Sequence, residues 1–283
     1  MVDVAEVKIW NELAGAIRWD ESQQLGYFQY DPSFIERGWD LSPIKMPIAQ
    51  GSRIYSFPEN RKGRNETEDT FKGLPGLLSD ALPDKYGNKL ISTWLSQQGR
   101  SENSMNPVEK LCFIGTRGVG AMEFEPAQIK TGIKTFSLEL NNLIELAKNI
   151  LNEREDFLTN LNEDEEKAMM EILKIGTSAG GARPKAVIGY NPKTKEIRSG
   201  QGNVPKGFEH WLLKLDGVSG EQFGESFGWG RVEYAYYLMA IDSGIEISEC
   251  QLLEENGRAH FMTKRFDRQD NTKHHVQSLC GLQ

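Results

Sequence analysis

Apolar and polar residues alternate along short stretches near the amino terminus. Residues 4–10 alternate as a half-buried strand does, and residues 13–17 follow as its hairpin partner. Residues 24–30 predict a third strand. The segment 31–50 contains three prolines and is predicted to be extended or turning. The pattern therefore predicts a small sheet at the start of the chain.

Helical spacing appears in two regions. Between residues 76 and 95, apolar residues recur three and four positions apart, and Pro83 and Gly87 interrupt them, which predicts two short helices. Residues 137–175 carry the same spacing, with a second helix that begins at the N-cap residue Asn162. The acidic residues after Asn162 suit the first turn of that helix because carboxylates are stabilised at a helix amino terminus.

The period returns to that of strands after residue 184. The strand-like segments there are 185–190, 196–198, 211–215, 251–254 and 259–266. Residues 230–241 are apolar on nearly every side, which predicts a buried helix, and a polar tail ends the sequence. This order of strands and helices predicts an α+β protein with two domains, residues 1–130 and 131–283.

The composition fits a globular chain of two domains. Of the 283 residues, 38% are hydrophobic and 26% are charged, which is enough apolar material for two cores. The net charge of −8 and the isoelectric point near 5.2 disfavour direct binding to nucleic acid. No apolar run approaches the length of about 18 residues that spans a membrane, and the amino terminus lacks the pattern of a secretory signal.

The three cysteines, Cys112, Cys250 and Cys280, are far apart in the sequence. Their odd number and the lack of a CxxC pair argue against a disulfide scaffold and against a zinc site. We therefore expect a protein of the reducing cytoplasm.

Two glycine-rich stretches are candidate phosphate loops. Residues 115–120 precede the strand-like segment 121–126, and because no helix follows them we predict a tight turn there. Residues 176–185 combine small residues whose backbone N–H groups can approach phosphate oxygens closely. They depart from the Walker A pattern, since Ala182 stands where its lysine belongs, and from the GxGxxG spacing of ordinary kinases. The residues alone leave a phosphate loop and a glycine-rich turn as alternatives.

A lysine and a glutamate strengthen the phosphate interpretation. Lys214 lies inside an apolar strand, where an ammonium group is costly to bury without a phosphate or carboxylate partner. Glu233 lies on the following apolar helix and is a candidate for that partner. Kinases hold the α- and β-phosphates of ATP with such a strand lysine and helix glutamate. The alternatives are a lysine that snorkels from an edge strand and a carboxylate on a helix face.

Five motifs follow one another along nearly the whole chain. They are GLPGLLSDALPD at 73–84, GTSAGGARPK at 176–185, GFEHWLLK at 207–214, VEYAYY at 232–237 and KRFDR at 264–268. Together they resemble the HipA family of bacterial toxin kinases. The resemblance implies an α+β fold in which an N-terminal α/β subdomain precedes the N-lobe of a protein-kinase-like fold, truncated here before the helical C-lobe.

The resemblance also implies roles for individual residues. Ser178, with Thr177 as the alternative acceptor, would be autophosphorylated, and phosphate there would expel the loop from the nucleotide pocket and switch the kinase off. Lys214 would contact phosphate, with Glu233 as its partner. The other residues placed around ATP and Mg²⁺ are Ala179, Gly180, Gly181, Ala182, Arg183 and Lys185 in and after the loop, and Lys264, Arg265 and Phe266 in the hinge that holds adenine.

One part of the family pattern falls outside this sequence. The catalytic aspartate, its asparagine and the magnesium-binding aspartate of the family lie well beyond the hinge, whereas only residues 269–283 follow Arg268. Asp267 and Asn271 are four rather than five positions apart and no histidine precedes them, so they do not form an HRDxxxxN loop. Asp216 and the glycine after it form a turn rather than a DFG motif. We therefore expect no catalytic residue and no metal ligand in these residues, and an inactive chain.

Two hypotheses remain open from the sequence. In the first, the chain is the amino-terminal region, by fragmentation or natural truncation, of a HipA-like ATP-dependent serine/threonine kinase toxin. The resemblance then implies a HipB-like DNA-binding antitoxin as partner, operator DNA only through that antitoxin, a translation-related substrate such as an aminoacyl-tRNA synthetase, and no membrane. In the second, the chain is a non-catalytic module that binds an antitoxin or a partner kinase.

Overall fold

The chain forms two compact units, each built from separate stretches of sequence. The computed structural model describes residues 2–60, 70–101, 104–126, 140–151, 173, 176, 183–218 and 228–282. The first unit combines Met1–Pro83, Asn103–Lys130 and Lys273–Gln283, and the second combines Asp84–Glu102 with Thr131–Thr272. The predicted domains 1–130 and 131–283 stay a prediction. By packing, residues 84–102 belong with the second unit and residues 273–283 with the first.

An antiparallel sheet organises the first unit. Its strands are Val4–Ile9 (β1), Glu12–Asp20 (β2), Leu25–Tyr30 (β3) and Met122–Glu125 (β4), in the order β3-β2-β1-β4. The register pairs Ala5 with Ile17 and Ile17 with Phe28, and all three side chains are buried on one face. The strands predicted near the amino terminus, and the one after the turn at 115–120, are thereby confirmed.

Helices lie in both units. Their bounds are Pro32–Arg37 (α1), Gly76–Ser79 (α2), Lys85–Gln97 (α3), Pro107–Ile114 (α4), Leu140–Leu151 (α5) and Trp229–Asp242 (α6), with short 3-10 turns at Ile48–Gln50 and Pro58–Asn60. Helix α5 confirms the first of the two helices predicted within 137–175. The second lies outside the described residues except for Leu173 and Gly176, which are both helical. None of the helices described is both long and apolar enough to cross a membrane.

Two helices differ from the sequence-based expectation. Helix α1 occupies part of the segment predicted to be extended or turning, because Asp31 caps it by accepting a hydrogen bond from the Ser33 N–H at 2.9 Å. Pro32 fits its first position, where no N–H is needed, and Gly38 ends it at φ 70°. Helix α4, by contrast, was not predicted at all, although Asn106 caps it in the same way.

The predicted break between the two helices of 76–95 lies at Pro83 alone. Helices α2 and α3 confirm the pair, but Gly87 belongs to the first turn of α3. Its N–H donates to the carboxylate of Asp84 at 2.6 Å, which makes Asp84 the N-cap. Gly87 therefore lies within the first turn of α3 and does not interrupt the helix.

A second antiparallel sheet organises the second unit. Its strands are Lys185–Tyr190 (β5), Ile197–Ser199 (β6), Glu209–Lys214 (β7), Cys250–Glu255 (β8) and Arg258–Lys264 (β9), in the order β6-β5-β7-β9-β8. Every residue of β5 is buried. All the strands predicted after residue 184 are confirmed, and strands β5 and β7 lie side by side within the sheet.

Helix α6 contradicts the prediction of a helix buried nearly all round. Among the described elements it packs against β8 and β9, and a Cβ added to Gly230 would lie 1.9 Å from the carbonyl oxygen of Ala259. Six of its apolar side chains are nevertheless 42 to 67% accessible: Trp229, Val232, Tyr236, Leu238, Met239 and Ile241. The prediction was wrong because burial needs packing partners on every side, and these strands cover one side.

The polar tail is packed rather than loose. After the small sheet of Arg268–Gln269 (β10) and Thr272–Lys273 (β11), the chain lies against the first unit. His275 Nε2 lies 3.0 Å from the carbonyl oxygen of Leu41, and the Ser278 hydroxyl donates to Asp80 at 2.8 Å. These bonds make the tail an integral part of the first unit.

Candidate functional site

Two lysines lie directly opposite each other where β5 begins and β7 ends. The register pairs Lys185 with Lys214, so both side chains leave the same face of the sheet. Like charges placed directly opposite in a sheet are destabilising unless each is compensated. Each ammonium group here has a carboxylate partner, and the two carboxylates come from different helices.

The first pair is formed by Lys214 and Glu233. The ammonium of Lys214 donates to Glu233 Oε2, which α6 carries across the end of β7. The Lys214 and Glu233 side chains are 32% and 27% exposed, and the Phe261 ring lies under the ammonium at 5.6 Å. The structure thus joins the two residues that the sequence proposed as partners. Their role toward phosphate stays a prediction.

The second pair is formed by Lys185 and Asp84. One carboxylate oxygen of Asp84 caps α3 and the other accepts the ammonium of Lys185. Burial lowers the pKa of Lys185 and raises the pKa of Asp84, and in each case it outweighs the opposing effect of the partner. The Lys185 side chain is 1% exposed. In this arrangement Lys185 therefore holds α3 to β5.

A residue that lies two positions before Lys185, Arg183, stacks on α6. The guanidinium of Arg183 lies 4.2 Å from the centre of the Trp229 ring, a cation–π contact of about 0.5 to 2 kcal/mol. Trp229 is the first residue of α6, the helix that carries Glu233. The chain that enters β5 is therefore attached to α6 as well as to α3.

The glycine-rich stretch itself lies mostly outside the described residues. This applies to Thr177, Ser178, Ala179, Gly180, Gly181 and Ala182. Its two ends are described and lie close together. A Cβ added to Gly176 would be 3.4 Å from the carbonyl oxygen of Lys185 and 2.7 Å from a methyl group of Leu90 in α3. Both ends of the stretch thus rest on α3.

The predicted hinge residues have three different environments. Lys264 Nζ lies 2.6 Å from Glu209. The guanidinium of Arg265 is buried and donates to both carboxylate oxygens of Asp267, at 2.8 and 2.6 Å. Phe266 is 70% exposed. Of the three, Phe266 therefore presents its side chain to solvent, where a ring could pack on it, and the adenine role of the hinge stays a prediction.

The residues rejected as kinase catalytic motifs have structural partners. The carboxylate of Asp267 is bound by two arginine side chains at 2.6 to 2.8 Å. The side chain of Asn271 accepts from the N–H of Val204 at 2.8 Å and donates to its carbonyl oxygen. Asp216 accepts from the N–H of Ala259 at 3.1 Å. These contacts give each of the three polar side chains a structural partner, and that none of them is catalytic stays a prediction.

The described site suits an anion better than a metal ion. In the ranges that the structure describes, no group of three or more His, Cys, Asp or Glu side chains could hold a metal. Mg²⁺ requires oxygen ligands, and the carboxylates of Asp84 and Glu233 are engaged by ammonium groups. The half-exposed ammonium of Lys214 is the kind of donor that binds phosphate oxygens.

Asp84 and Trp229 were not assigned a role from the sequence. Asp84 stands before a helical pattern, a position where aspartate is a preferred N-cap, and that signal was readable. Its ion pair with Lys185 joins residues 101 positions apart, and no local pattern reveals such a pair. The stacking of Arg183 on Trp229 is likewise visible only in the folded chain.

Models of protein families match most of the chain. A family described as HipA N-terminal domain matches residues 5–125, and one described as HipA-like C-terminal domain matches residues 177–283. No curated protein sequence matches the chain significantly.

A solved structure has the same fold. It is described as the Shewanella oneidensis MR-1 toxin–antitoxin system of HipA, HipB and its operator DNA. The match has a TM-score of 0.59 at 16% sequence identity and covers 96% of this chain and 53% of the solved one. The mixed α+β fold is thus confirmed, and the chain spans about half the length of the solved chain.

Proposed function

The chain belongs to the HipA family of toxin–antitoxin proteins, and we propose that it is the nucleotide-binding part of an ATP-dependent serine/threonine kinase. The observation that carries this proposal is the ion pair of Lys214 and Glu233 at the end of β7. Kinases hold the α- and β-phosphates of ATP with a strand lysine that a helix glutamate orients. Both groups are partly exposed, so a phosphate oxygen can reach the ammonium without displacing a buried partner.

Other described residues support the same assignment. The exposed ring of Phe266 provides an apolar surface for adenine at the end of β9. The two ends of the glycine-rich stretch lie beside β5, the strand next to Lys214. We propose that ATP lies along the part of the sheet marked by Phe266, Lys214 and the glycine-rich stretch. Ser178 in that stretch is the proposed site of autophosphorylation. The Mg²⁺ ions that such a reaction needs would take ligands from outside the described residues.

We further propose that the 283 residues alone do not transfer phosphate. A kinase needs a carboxylate that accepts the proton of the attacking hydroxyl. The candidates, Asp267 beside the hinge and Asp216 after β7, are buried and bonded to arginine side chains and to a backbone N–H, respectively. The chain would therefore bind nucleotide without using it.

The partners follow from family membership as proposals. The solved relative is a complex of HipA with HipB and operator DNA. We propose a HipB-like antitoxin for this chain and contact with DNA only through it, since a net charge of −8 opposes direct binding. A translation-related protein such as an aminoacyl-tRNA synthetase is the proposed substrate of the complete kinase.

One observation favours a second candidate function. Helix α6 carries six large apolar side chains that are exposed, and exposed apolar surface of this extent often marks a binding face. A non-catalytic module that binds an antitoxin or a partner kinase would use such a face. Binding of a protein partner without measurable affinity for ATP would favour this candidate.

The nucleotide proposal is tested by replacing Lys214. We expect Lys214→Met to weaken ATP binding by about tenfold or more, because a hydrogen bond to a charged group is lost. Isothermal titration of the 283-residue chain with ATP measures this change. Adenosine, which lacks phosphates, should bind both proteins equally.

The exposed Lys206 supplies the matched control. Lys206→Met removes the same charge from the surface of the second unit and should leave the affinity for ATP unchanged. Equal ATP affinities of the Lys214→Met variant and the unaltered chain would contradict the proposed function.

A further inference from the structure

Arg183 is held at two points where the glycine-rich stretch ends. Its backbone precedes Pro184, a position that favours extended structure. The carbonyl oxygen of Pro184 accepts a hydrogen bond from the N–H of Leu215 at 3.0 Å, and Leu215 directly follows Lys214. The backbone at Arg183 is therefore fixed beside the end of β7. The guanidinium is held separately by the Trp229 ring, whose centre lies 4.2 Å away.

The contact with Trp229 leaves the guanidinium of Arg183 able to bind an anion. A ring offers no oxygen acceptor, so the N–H groups of the guanidinium can still donate, and their planar fork matches two oxygens of a phosphate. Within the ranges that the structure describes, no carboxylate forms an ion pair with Arg183, whereas Lys185 and Lys214 each have one. A phosphate can therefore bind Arg183 without displacing a carboxylate.

Trp229 occupies a position where burial does not account for its size. It is the first residue of α6, and its side chain is 42% exposed. The close contact between the first turn of α6 and β9 is made by Gly230 instead. Of the aromatic side chains, tryptophan binds cations most strongly. The start of α6 therefore provides a ring surface on which a cation rests.

We propose that Trp229 is a positioning residue of the nucleotide site: its ring fixes the guanidinium of Arg183, which binds a phosphate group of the nucleotide. The inference rests on the proposed function, which supplies the nucleotide. Trp229 acts through Arg183 and does not touch the nucleotide. Helix α6 then contributes to the site twice, through Trp229 and, one turn later, through Glu233.

The first measurement is the affinity for ATP by isothermal titration. Trp229→Leu keeps an apolar side chain and removes the ring. We expect it to weaken ATP binding about threefold to tenfold, because the cation–π contact is lost. Trp229→Phe keeps a ring that binds cations less strongly, so its affinity should lie between the two. Adenosine, which lacks phosphates, should bind all three proteins equally.

A double-variant cycle separates positioning from a structural role of Trp229. Arg183→Met removes the guanidinium and should itself weaken ATP binding. Because Trp229 acts through Arg183, adding Trp229→Leu to Arg183→Met should cause no further loss. If Trp229 merely stabilised α6, the two losses would add, as they do for independent sites, and that result would overturn the proposal.

The second measurement needs no nucleotide. Phenylglyoxal modifies arginine side chains, and mass spectrometry gives its rate at Arg183 relative to the exposed Arg53 of the first unit. We expect Trp229→Leu to raise this ratio about threefold or more, since the ring shields the guanidinium and favours its charged form. An unchanged ratio would overturn the proposal.

Trp39→Leu is the matched control. Trp39 is also exposed and also contacts an arginine, Arg37, at 5.4 Å, but it belongs to the first unit. The control should change neither the affinity for ATP nor the modification of Arg183. Effects equal to those of Trp229→Leu would mean that loss of any exposed tryptophan suffices, and the proposal would be wrong.

The remaining outcomes are also decisive. If Trp229→Leu does not fold, Trp229→Gln, which suits an exposed position, replaces it in each measurement. Failure of both variants to fold overturns the proposal, because Trp229 is then a structural residue. If the unaltered chain binds no ATP, the proposed function fails and the nucleotide role of Trp229 fails with it. If that chain binds ATP and Trp229→Leu binds it equally well, only the inference about Trp229 fails.

Discussion

At the scale of single residues, a buried histidine makes the stability of the second unit depend on pH. His260 is fully buried, and its Nδ1 accepts a hydrogen bond from the N–H of Asp216 at 2.8 Å. The proton of the neutral ring is therefore on Nε2, which lies 3.5 Å from Glu255. Burial lowers the pKa of His260 more than the attraction of Glu255 raises it. The folded chain thus favours the neutral ring.

We expect the free energy of unfolding to fall as the pH drops below 6.5, the ordinary pKa of histidine. In that range the unfolded chain binds a proton at His260 that the folded chain does not, and this stabilises the unfolded state. His260→Gln should reduce the slope of stability against pH. Urea unfolding at pH values between about 7.5 and 5.5 measures it.

The control for this prediction is His274→Gln, since His274 is exposed. That variant should keep the pH dependence of the unaltered chain. His210, whose pKa burial also lowers, contributes in the same direction and remains in both variants. A slope in His260→Gln equal to that of the control would refute the assignment.

The site residues show what the sequence can reveal at this scale. Lys214 and Glu233 were readable because a charged residue in an apolar segment signals a partner. The environments of Lys185 and Arg265 could not be predicted from the sequence. Their carboxylate partners are Asp84 and Asp267, and the folded backbone determines that these residues are in reach. A residue type indicates that a partner is needed, whereas only the fold determines which one is near.

At the scale of elements, period and burial must be distinguished. The strands of both sheets were predicted because alternation is a local property of the chain. The burial of α6 was mispredicted because it depends on neighbours that the helix itself does not encode. Helix α1 was missed because the three prolines of the segment 31–50 favour extended or turning structure, although Pro32 suits the first helical position.

Gly230 determines how closely α6 approaches the sheet. A Cβ at this position would lie 1.9 Å from the carbonyl oxygen of Ala259, so Gly230→Ala must shift the helix or the strand. We expect a loss of about 1 to 3 kcal/mol in the free energy of unfolding, as for other overpacked sites. Because α6 carries Glu233, ATP affinity should fall as well. Urea unfolding and ATP titration measure the two effects.

Gly202→Ala is the matched control, since a Cβ there would meet no atom within 4 Å. It should change neither stability nor affinity. If Gly230→Ala behaves as this control does, close packing of the first turn of α6 on β9 is not what places Glu233.

At the scale of the whole molecule, two HipA family models match most of the chain, and a solved HipA structure has the same fold. The motifs that carried the resemblance lie in both matched domains, and that is why the family could be recognised from this sequence alone. The sequence could not predict that residues 84–102 belong to the second unit and residues 273–283 to the first, because this depends on packing between stretches that are distant in the sequence.

We expect the 283-residue chain to gain no mass when it is incubated with ATP and Mg²⁺, because the candidate aspartates Asp267 and Asp216 have structural partners. Intact-mass spectrometry of the chain, beside a Ser178→Ala variant, makes the measurement, and ATP titration of the same sample shows that it is competent. A gain of one phosphate that is lost in Ser178→Ala would contradict this prediction and establish an active kinase.

The packed tail has a consequence for synthesis. Residues 273–282 bond to Leu41, Asp80 and Glu123, so the first unit receives its last segment after the whole of the second has left the ribosome. Domains usually fold in order as they emerge. A nascent chain paused at residue 272 would present an unfinished first unit to chaperones and proteases, although it already contains every strand of the first unit's sheet.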